Sequence, residues 1–252
     1  MLPTAFLTHP IAHRGLHDVS KGVPENSRAA VQAAIDHGYG IEIDIQCTSD
    51  QAAIVFHDDT LDRLTADTGR VSRRTRADLA TQRLTGSDET IPDLPEILAM
   101  VDGRVPLLVE VKDQDGALGE NVGALEAEIA RNLDGYQGAV AVMSFNPHSV
   151  SALQTLAPQV PRGLVTDGFD AAEWDVAEAR RDELAGISHF DRVGASFISH
   201  NHKRLEAKAV ADLKARAVPI LCWTIRSIAE EHAARRIADN ITFEGYLATT
   251  PT

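Results

Sequence analysis

Short β-rich segments alternate with Ala-rich helical ones along the whole chain, and this alternation restricts the fold more than any other feature. Strands are expected at about 10–14, 39–46, 52–57, 105–112, 138–145, 161–166, 192–198, 218–225 and 243–248. Helical periodicity and capping residues predict helices over 27–37, 118–133, 146–156, 205–217 and 227–239, with Ser27 as an N-cap and Gly38 as a stop. This gives one strand more than an eight-stranded barrel holds, and connection length identifies it. Only Cys47 to Gln51 separate the second segment from the third, whereas a parallel crossover needs roughly a dozen residues. The 52–57 segment must therefore turn back on its predecessor as a hairpin arm. A (β/α)8 TIM barrel is the expected fold, with a doubly wound open sheet as the second choice. One domain over residues 1–252 suits an α/β barrel of this length. The stretch 59–104, rich in Thr, Asp and Arg, is too long for a plain βα unit. It reads as a small insertion at one barrel face with helical pieces near 76–82 and 94–101.

Charge narrows the partners. The chain carries 24 Lys and Arg against 37 Asp and Glu, a net charge of −13. Such a field opposes nucleic acid and anionic membrane surfaces, so an anionic substrate needs locally placed cations. No apolar run approaches the ~18 residues of a membrane span, and no transmembrane segment is expected. Cys47 and Cys222 form no disulfide framework or metal motif and read as small core hydrophobes in a reducing compartment. Residues 1–13 lack the features of a cleaved export signal, so a cytoplasmic location is expected.

The strand Gly40-Ile41-Glu42-Ile43-Asp44-Ile45 places Ile41, Ile43 and Ile45 on one face and Glu42 and Asp44 on the other. On a wet edge strand this alternation is ordinary. In a parallel strand covered on both faces it buries two adjacent carboxylates, whose repulsion and desolvation call for a cation. Leu107–Lys112 repeats the pattern with Glu110 and Lys112 on one face. Glu42, Asp44 and Glu110 together make an all-oxygen donor set suited to Mg²⁺ or Ca²⁺ rather than zinc. Lys112 beside it is useful if the ligand is anionic. His13 and His57 each close a strand, the place where barrel active sites form, and imidazoles there can act as acid and base. Asp58 either orients His57 or shapes the turn. His200-Asn201-His202 reads as a solvent-exposed loop, and Trp174, Asp175 and Glu178 as part of an amphipathic helix.

These residues fall in a recognisable order. Ile11-Ala12-His13-Arg14-Gly15, Pro24-Glu25-Asn26-Ser27, Glu42-Ile43-Asp44, Thr48-Ser49-Asp50 and Val55-Phe56-His57-Asp58 closely resemble the signature of the glycerophosphodiester phosphodiesterase family. The resemblance continues through Leu61–Thr65, Gly69-Arg70-Val71, Ile91–Leu94, Glu110-Val111-Lys112, Ser144-Phe145-Asn146 and Trp223-Thr224-Ile225, so it spans essentially the whole chain. It implies a barrel with a small insertion after the HD motif. It also implies metal-dependent hydrolysis of a glycerophosphodiester to sn-glycerol 3-phosphate and an alcohol, through a cyclic 1,2-phosphate. By motif, His13 and His57 would be the acid/base pair, and Glu42, Asp44 and Glu110 would hold one divalent cation, Mg²⁺ or Ca²⁺. Arg14 and Lys112 would hold the phosphate, and Trp223 would border the substrate.

The sequence departs from the pattern at Ser27, at Ser49-Asp50-Gln51, at Arg226 and near Phe243-Glu244-Gly245 and Thr249-Thr250-Pro251. The last of these changes are expected to touch the alcohol rather than catalysis. Two other functions compete. A phospholipase-D-like enzyme for lysophospholipid or sphingomyelin would need an apolar apron at the mouth, against which stands an aromatic content of 5%. A non-catalytic glycerophosphate-binding barrel should have lost a carboxylate or a histidine, and none is missing.

Overall fold

The computed structural model describes residues 1–249; Thr250 and Pro251 of the closing motif lie outside the described residues. The strands are β1 (Ile11–Ala12), β2 (Gly40–Cys47), β3 (Ala53–Val55), β4 (Leu107–Val111), β5 (Val140–Ser144), β6 (Arg162–Thr166), β7 (Phe197–Asn201), β8 (Ile220–Ile225) and β9 (Asn240–Phe243). All of these except β3 pair in parallel in the order β1-β9-β8-β7-β6-β5-β4-β2, and β1 pairs with β2 to close the barrel. β3 pairs antiparallel with β2, Ile45 opposite Val55, as the short connection requires. The fold is a (β/α)8 TIM barrel.

Nine helices occur among the described residues: α1 (Ala5–Thr8), α2 (Arg28–Asp36), α3 (Arg76–Leu79), α4 (Leu94–Val101), α5 (Ala124–Leu133), α6 (Pro147–Leu156), α7 (Glu178–Ala185), α8 (Lys208–Ala215) and α9 (Ile228–Ala234). Ser27 caps α2 through its hydroxyl, and Asn146 caps α6 with Pro147 at the first helical position. The helix expected over 118–133 begins only at Ala124. Asp113, Gly119 and Asn146 tie the preceding residues into a loop, with the Asn146 amide donating to both Asp113 and the Gly119 carbonyl.

Strand alternation divides the interior into two cores. Ile41, Ile43, Ile45, Val109, Val111, Ile198 and Cys222 face the helix layer. Ile11, Leu108, Met143, Phe197 and Leu221 fill the barrel itself, closed at the bottom by Leu2 and Phe6 at the chain's start. Cys222 is buried in the helix-facing core, while Cys47 is only half-buried at the rim. The excursion after β3 carries a cluster of its own, Phe56, Leu61, Val71, Leu79, Leu84 and Ile91. α4 instead packs with α2 as an ordinary barrel helix.

Two strands lie apart from their expected places. β7 starts at Phe197 rather than near 192, because residues before it form turns. The last strand ends at Phe243 rather than starting there. Its end therefore puts Glu244 at the barrel mouth.

Candidate active site

The inward face of β2 presents Glu42 and Asp44, each 1% exposed, and that of β4 presents Glu110, opposite Asp44 in register. One oxygen from each of these three carboxylates lies within 4.8 Å of the others. Lys112 just beyond β4 reaches Asp44 Oδ1 at 2.7 Å and Glu110 Oε1 at 2.5 Å. Burial opposes its charge, but Asp44 and Glu110 outweigh that and hold its pKa raised. Glu42 behaves differently. Burial, Asp44 and Glu110 push its pKa well up, and its Oε1 is buried without a hydrogen-bond partner. A buried carboxylate with an unused oxygen beside two others is what a hard divalent cation relieves, so the donor set fits Mg²⁺ or Ca²⁺.

Arg14 follows β1 in a left-handed conformation (φ 56°), with Gly15 next at φ 77°. Only glycine suits the second position, because a Cβ there would lie 2.8 Å from the Ala30 backbone of α2. This turn aims the Arg14 backbone N–H at Glu42 Oε2 (2.9 Å) and its guanidinium at Glu25 (2.7 Å) and Asp44 (3.4 Å). Burial disfavours the Arg14 charge, yet Asp44, Glu25 and Glu42 raise its pKa. Asn26 completes the frame, donating to Asp44 Oδ2 at 2.8 Å and accepting from the Asp44 N–H. Glu25 and Asn26 thus position Asp44 and Arg14, a role that the PEN segment did not disclose by composition or spacing.

The two histidines flank this cluster. His13 Nδ1 lies 2.5 Å from Glu244 Oε2, and His57 Nδ1 lies 2.6 Å from Asp58 Oδ1. A carboxylate accepts, so each Nδ1 carries a proton and each Nε2 is left free of a protein partner, an acceptor in the neutral ring and a donor in the charged one. Burial lowers the His13 pKa, against the raising effect of Glu244. Asp58 is gripped by Arg63 and Glu244 by Arg226. Asp58 therefore orients its neighbour. Glu244 was not anticipated in this role: the change near the C-terminus was expected to leave catalysis alone. Only the position of β9 reveals that residue 244 meets residue 13.

His13, Arg14, Glu42, His57, Glu110, Lys112 and Trp223 line one recess of about 160 Å³, walled also by Met143 and Phe145. Asp44 lies behind it, holding Lys112 and Asn26. All eight residues singled out from the sequence meet at the C-terminal end of the barrel, with Trp223 half-buried on β8. His200 does not behave as expected. It is 1% exposed, on the helix-facing side of β7, bonded to Thr166. Trp174 is not helical either; it precedes α7 and packs against Phe145 and Phe169 at the mouth.

The family model described as "Glycerophosphoryl diester phosphodiesterase family" matches residues 13–239. The chain belongs to this family. Among its relatives, a glycerophosphodiester phosphodiesterase of Caldanaerobacter subterraneus subsp. tengcongensis is 31% identical over 178 residues, 66% of this chain and 70% of that one. Human glycerophosphodiester phosphodiesterase 1 is 41% identical over 99 residues, 35% of this chain and 29% of that protein. Among solved structures, an Oleispira antarctica phosphodiesterase in complex with its product sn-glycerol-3-phosphate superposes with a TM-score of 0.78 at 23% identity, over 95% of this chain and 94% of that one. The protein is a phosphoric diester hydrolase of the glycerophosphodiester phosphodiesterase class. No helix among the described residues is long and apolar enough to cross a membrane.

Proposed function

We propose that the protein hydrolyses soluble glycerophosphodiesters to sn-glycerol 3-phosphate and an alcohol, using one Mg²⁺ or Ca²⁺ held by Glu42, Asp44 and Glu110. One observation carries this reading: two buried carboxylates with Asp44 close behind them, two cationic side chains and two imidazoles with free Nε2 atoms border a single small recess. The bound cation supplies Lewis-acid stabilisation of charge on the phosphoryl oxygens. The Oleispira enzyme's product supports the identity of the constant half of the substrate. The cysteine usage and acidic surface favour a reducing, cytoplasmic setting.

The chain's own groups then divide the work. Arg14 and Lys112 hold the phosphate against a net charge of −13. His13 Nε2 takes the proton of the glycerol 2-hydroxyl as that oxygen attacks phosphorus. His57 Nε2–H, entering this step as imidazolium, gives its proton to the departing alcohol oxygen as the phosphorus–oxygen bond breaks. The cyclic 1,2-phosphate formed is opened by water with the two roles exchanged, restoring both protonation states. His57 is assigned as the first acid because it alone of the pair also borders a wider groove leading out of the recess.

The test is release of glycerol 3-phosphate from a panel of glycerophosphodiesters, before and after EDTA and with Mg²⁺ or Ca²⁺ restored. Activity is expected to vanish with chelation and to return with the ion. Full activity in EDTA would remove the carboxylate site from the reaction. A second diester lacking the 2-hydroxyl should react very slowly; rapid hydrolysis would replace the cyclic route by direct attack of water.

A further inference from the structure

The recess is too small to hold a whole diester of any size, so the variable alcohol must leave it along one of two branches. One branch, about 220 Å³, runs past Trp223 and Arg226 to Asp167, Asp170, Asn201 and Arg204. Part of its polar lining is already paired. Asp170 pairs with Arg204, and Asp167 accepts from Asn201 and from the Trp174 indole N–H. The other branch, about 440 Å³, starts at His57, Glu110 and Lys112, passes Asp58, Asp59 and Asp113, and ends on Leu118, Phe145 and Trp174. Its far wall is apolar; Leu118 is buried there, and Phe145 and Trp174 present its solvent-facing part. Phe145 and Trp174 are both half-buried, their ring centroids 4.9 Å apart, and Phe169 and Leu184 support them from behind.

The low aromatic content concealed this wall. Both tryptophans and two of the seven phenylalanines collect at one side of the mouth: Phe145 also meets Trp223 edge-on, with centroids 5.5 Å apart. The rings meet tilted or edge-on, at interplanar angles between 49° and 89°, and together present a contiguous hydrocarbon surface. Covering such a wall removes apolar area from water at about 25 cal/mol per Å², a gain that the polar lining of the other branch does not offer an aliphatic chain.

We infer that the groove from His57 to Trp174 is a leaving-group subsite for alcohols bearing an aliphatic chain. Resting on the proposed reaction, it names the class of alcohol that reaction releases. Glycerol phosphate fills the recess, the ester oxygen of the alcohol lies at His57, and the chain runs past Phe145 to Trp174.

The experiment compares the metal-loaded protein on glycerophospho esters of ethanol, butanol and hexanol and on glycerophosphocholine, with Trp174→Ala, Trp174→Gln and Trp174→Leu. In the wild type, kcat/KM should rise about two- to fourfold per methylene, the range for a chain covered on one or both sides. Trp174→Ala and Trp174→Gln should flatten this slope while leaving the ethyl ester unchanged, and Trp174→Leu should retain most of it. The unchanged ethyl ester shows that the variants are folded. A flat series in the wild type, or a slope that survives Trp174→Gln, overturns the inference and leaves the proposed reaction standing. Preference for the choline ester with selective loss in Trp174→Ala overturns it in favour of a cation subsite. Inactivity of the wild type on all four esters sinks the inference and the proposed reaction together.

Discussion

The two histidine arms of the site are built alike and placed differently. Each imidazole donates a hydrogen bond from Nδ1–H to a carboxylate, and each carboxylate is held by an arginine: His13–Glu244–Arg226 on one side, His57–Asp58–Arg63 on the other. The His57 arm is assembled from neighbours in sequence. The His13 arm joins residues 231 positions apart and exists only because β1 and β9 close the barrel side by side. The His13 side chain is 13% exposed and the His57 side chain 31%. Of these two spaces His13 borders the recess and not the groove, while His57 borders both. Equal chemistry with unequal access is what a mechanism needs when one imidazole handles a hydroxyl of bound glycerol and the other an alcohol that must depart.

The sharpest way to break this division is to remove each imidazole in turn. His13→Ala and His57→Ala should each lower kcat by about 10²–10⁴, the usual contribution of a positioned acid or base. A glycerophosphoryl 4-nitrophenyl ester then separates them, since nitrophenolate leaves without a proton. Nitrophenol release should be largely restored in His57→Ala and remain slow in His13→Ala. The opposite pattern would exchange the two assignments.

This asymmetry also shows what the sequence made legible. The barrel followed from alternation and from the short link before β3. The buried carboxylates followed from period-two patterning in strands covered on both faces. His57 and Asp58 were visible as a pair because they are adjacent. Glu244 was not, because its role depends on where β9 stops, and strand ends are set by tertiary pairing more than by local residues. The same limit hid the apolar wall: Phe145 and Trp174 are far apart in sequence, and composition counts aromatics without saying that they meet. Asn26 and Glu25 were in view as a motif, but their bonds to Asp44 and Arg14 depend on a backbone turn that no periodicity encodes.

The orienting carboxylates test the likeness of the arms at the next level. Glu244→Gln and Asp58→Asn should each cost about 10- to 10³-fold in kcat, less than loss of the imidazole, because the ring remains but its proton placement is no longer enforced. They should differ in pH dependence. Glu244 raises the His13 pKa, which burial otherwise lowers. Removing that carboxylate lowers it further, so the acid limb of kcat/KM, which reports protonation of the base, should move to lower pH in Glu244→Gln. Asp58→Asn should leave that limb in place. Coincident acid limbs for the wild type and Glu244→Gln would mean that His13 does not act as the base in the free enzyme.

A third histidine provides the smallest catalytic effect and the control for both arms. His200 lies at the end of β7, but on the face turned toward the helices. Its Nδ1 is 2.8 Å from the Thr166 hydroxyl and its Nε2 is 3.1 Å from the Arg204 carbonyl. The carbonyl can only accept, so Nε2 carries the proton and Nδ1 accepts from Thr166. No nitrogen is left for substrate. Burial holds its pKa down to about 4 against an ordinary value of 6.5. Between those values the unfolded chain binds more protons than the folded one, so this group's stabilisation is complete above about pH 6.5. It is lost as pH falls toward 4, by about 2–4 kcal/mol in all. His200→Asn should therefore change kcat/KM less than about threefold while lowering stability at pH 7. Measured by urea unfolding, its deficit should narrow steadily from pH 6.5 to 4, because only the wild type must then charge a buried imidazole. A deficit independent of pH would mean that His200 takes up its proton as readily in the folded barrel as in the unfolded chain, and a large loss of kcat would place it with His13 and His57 instead.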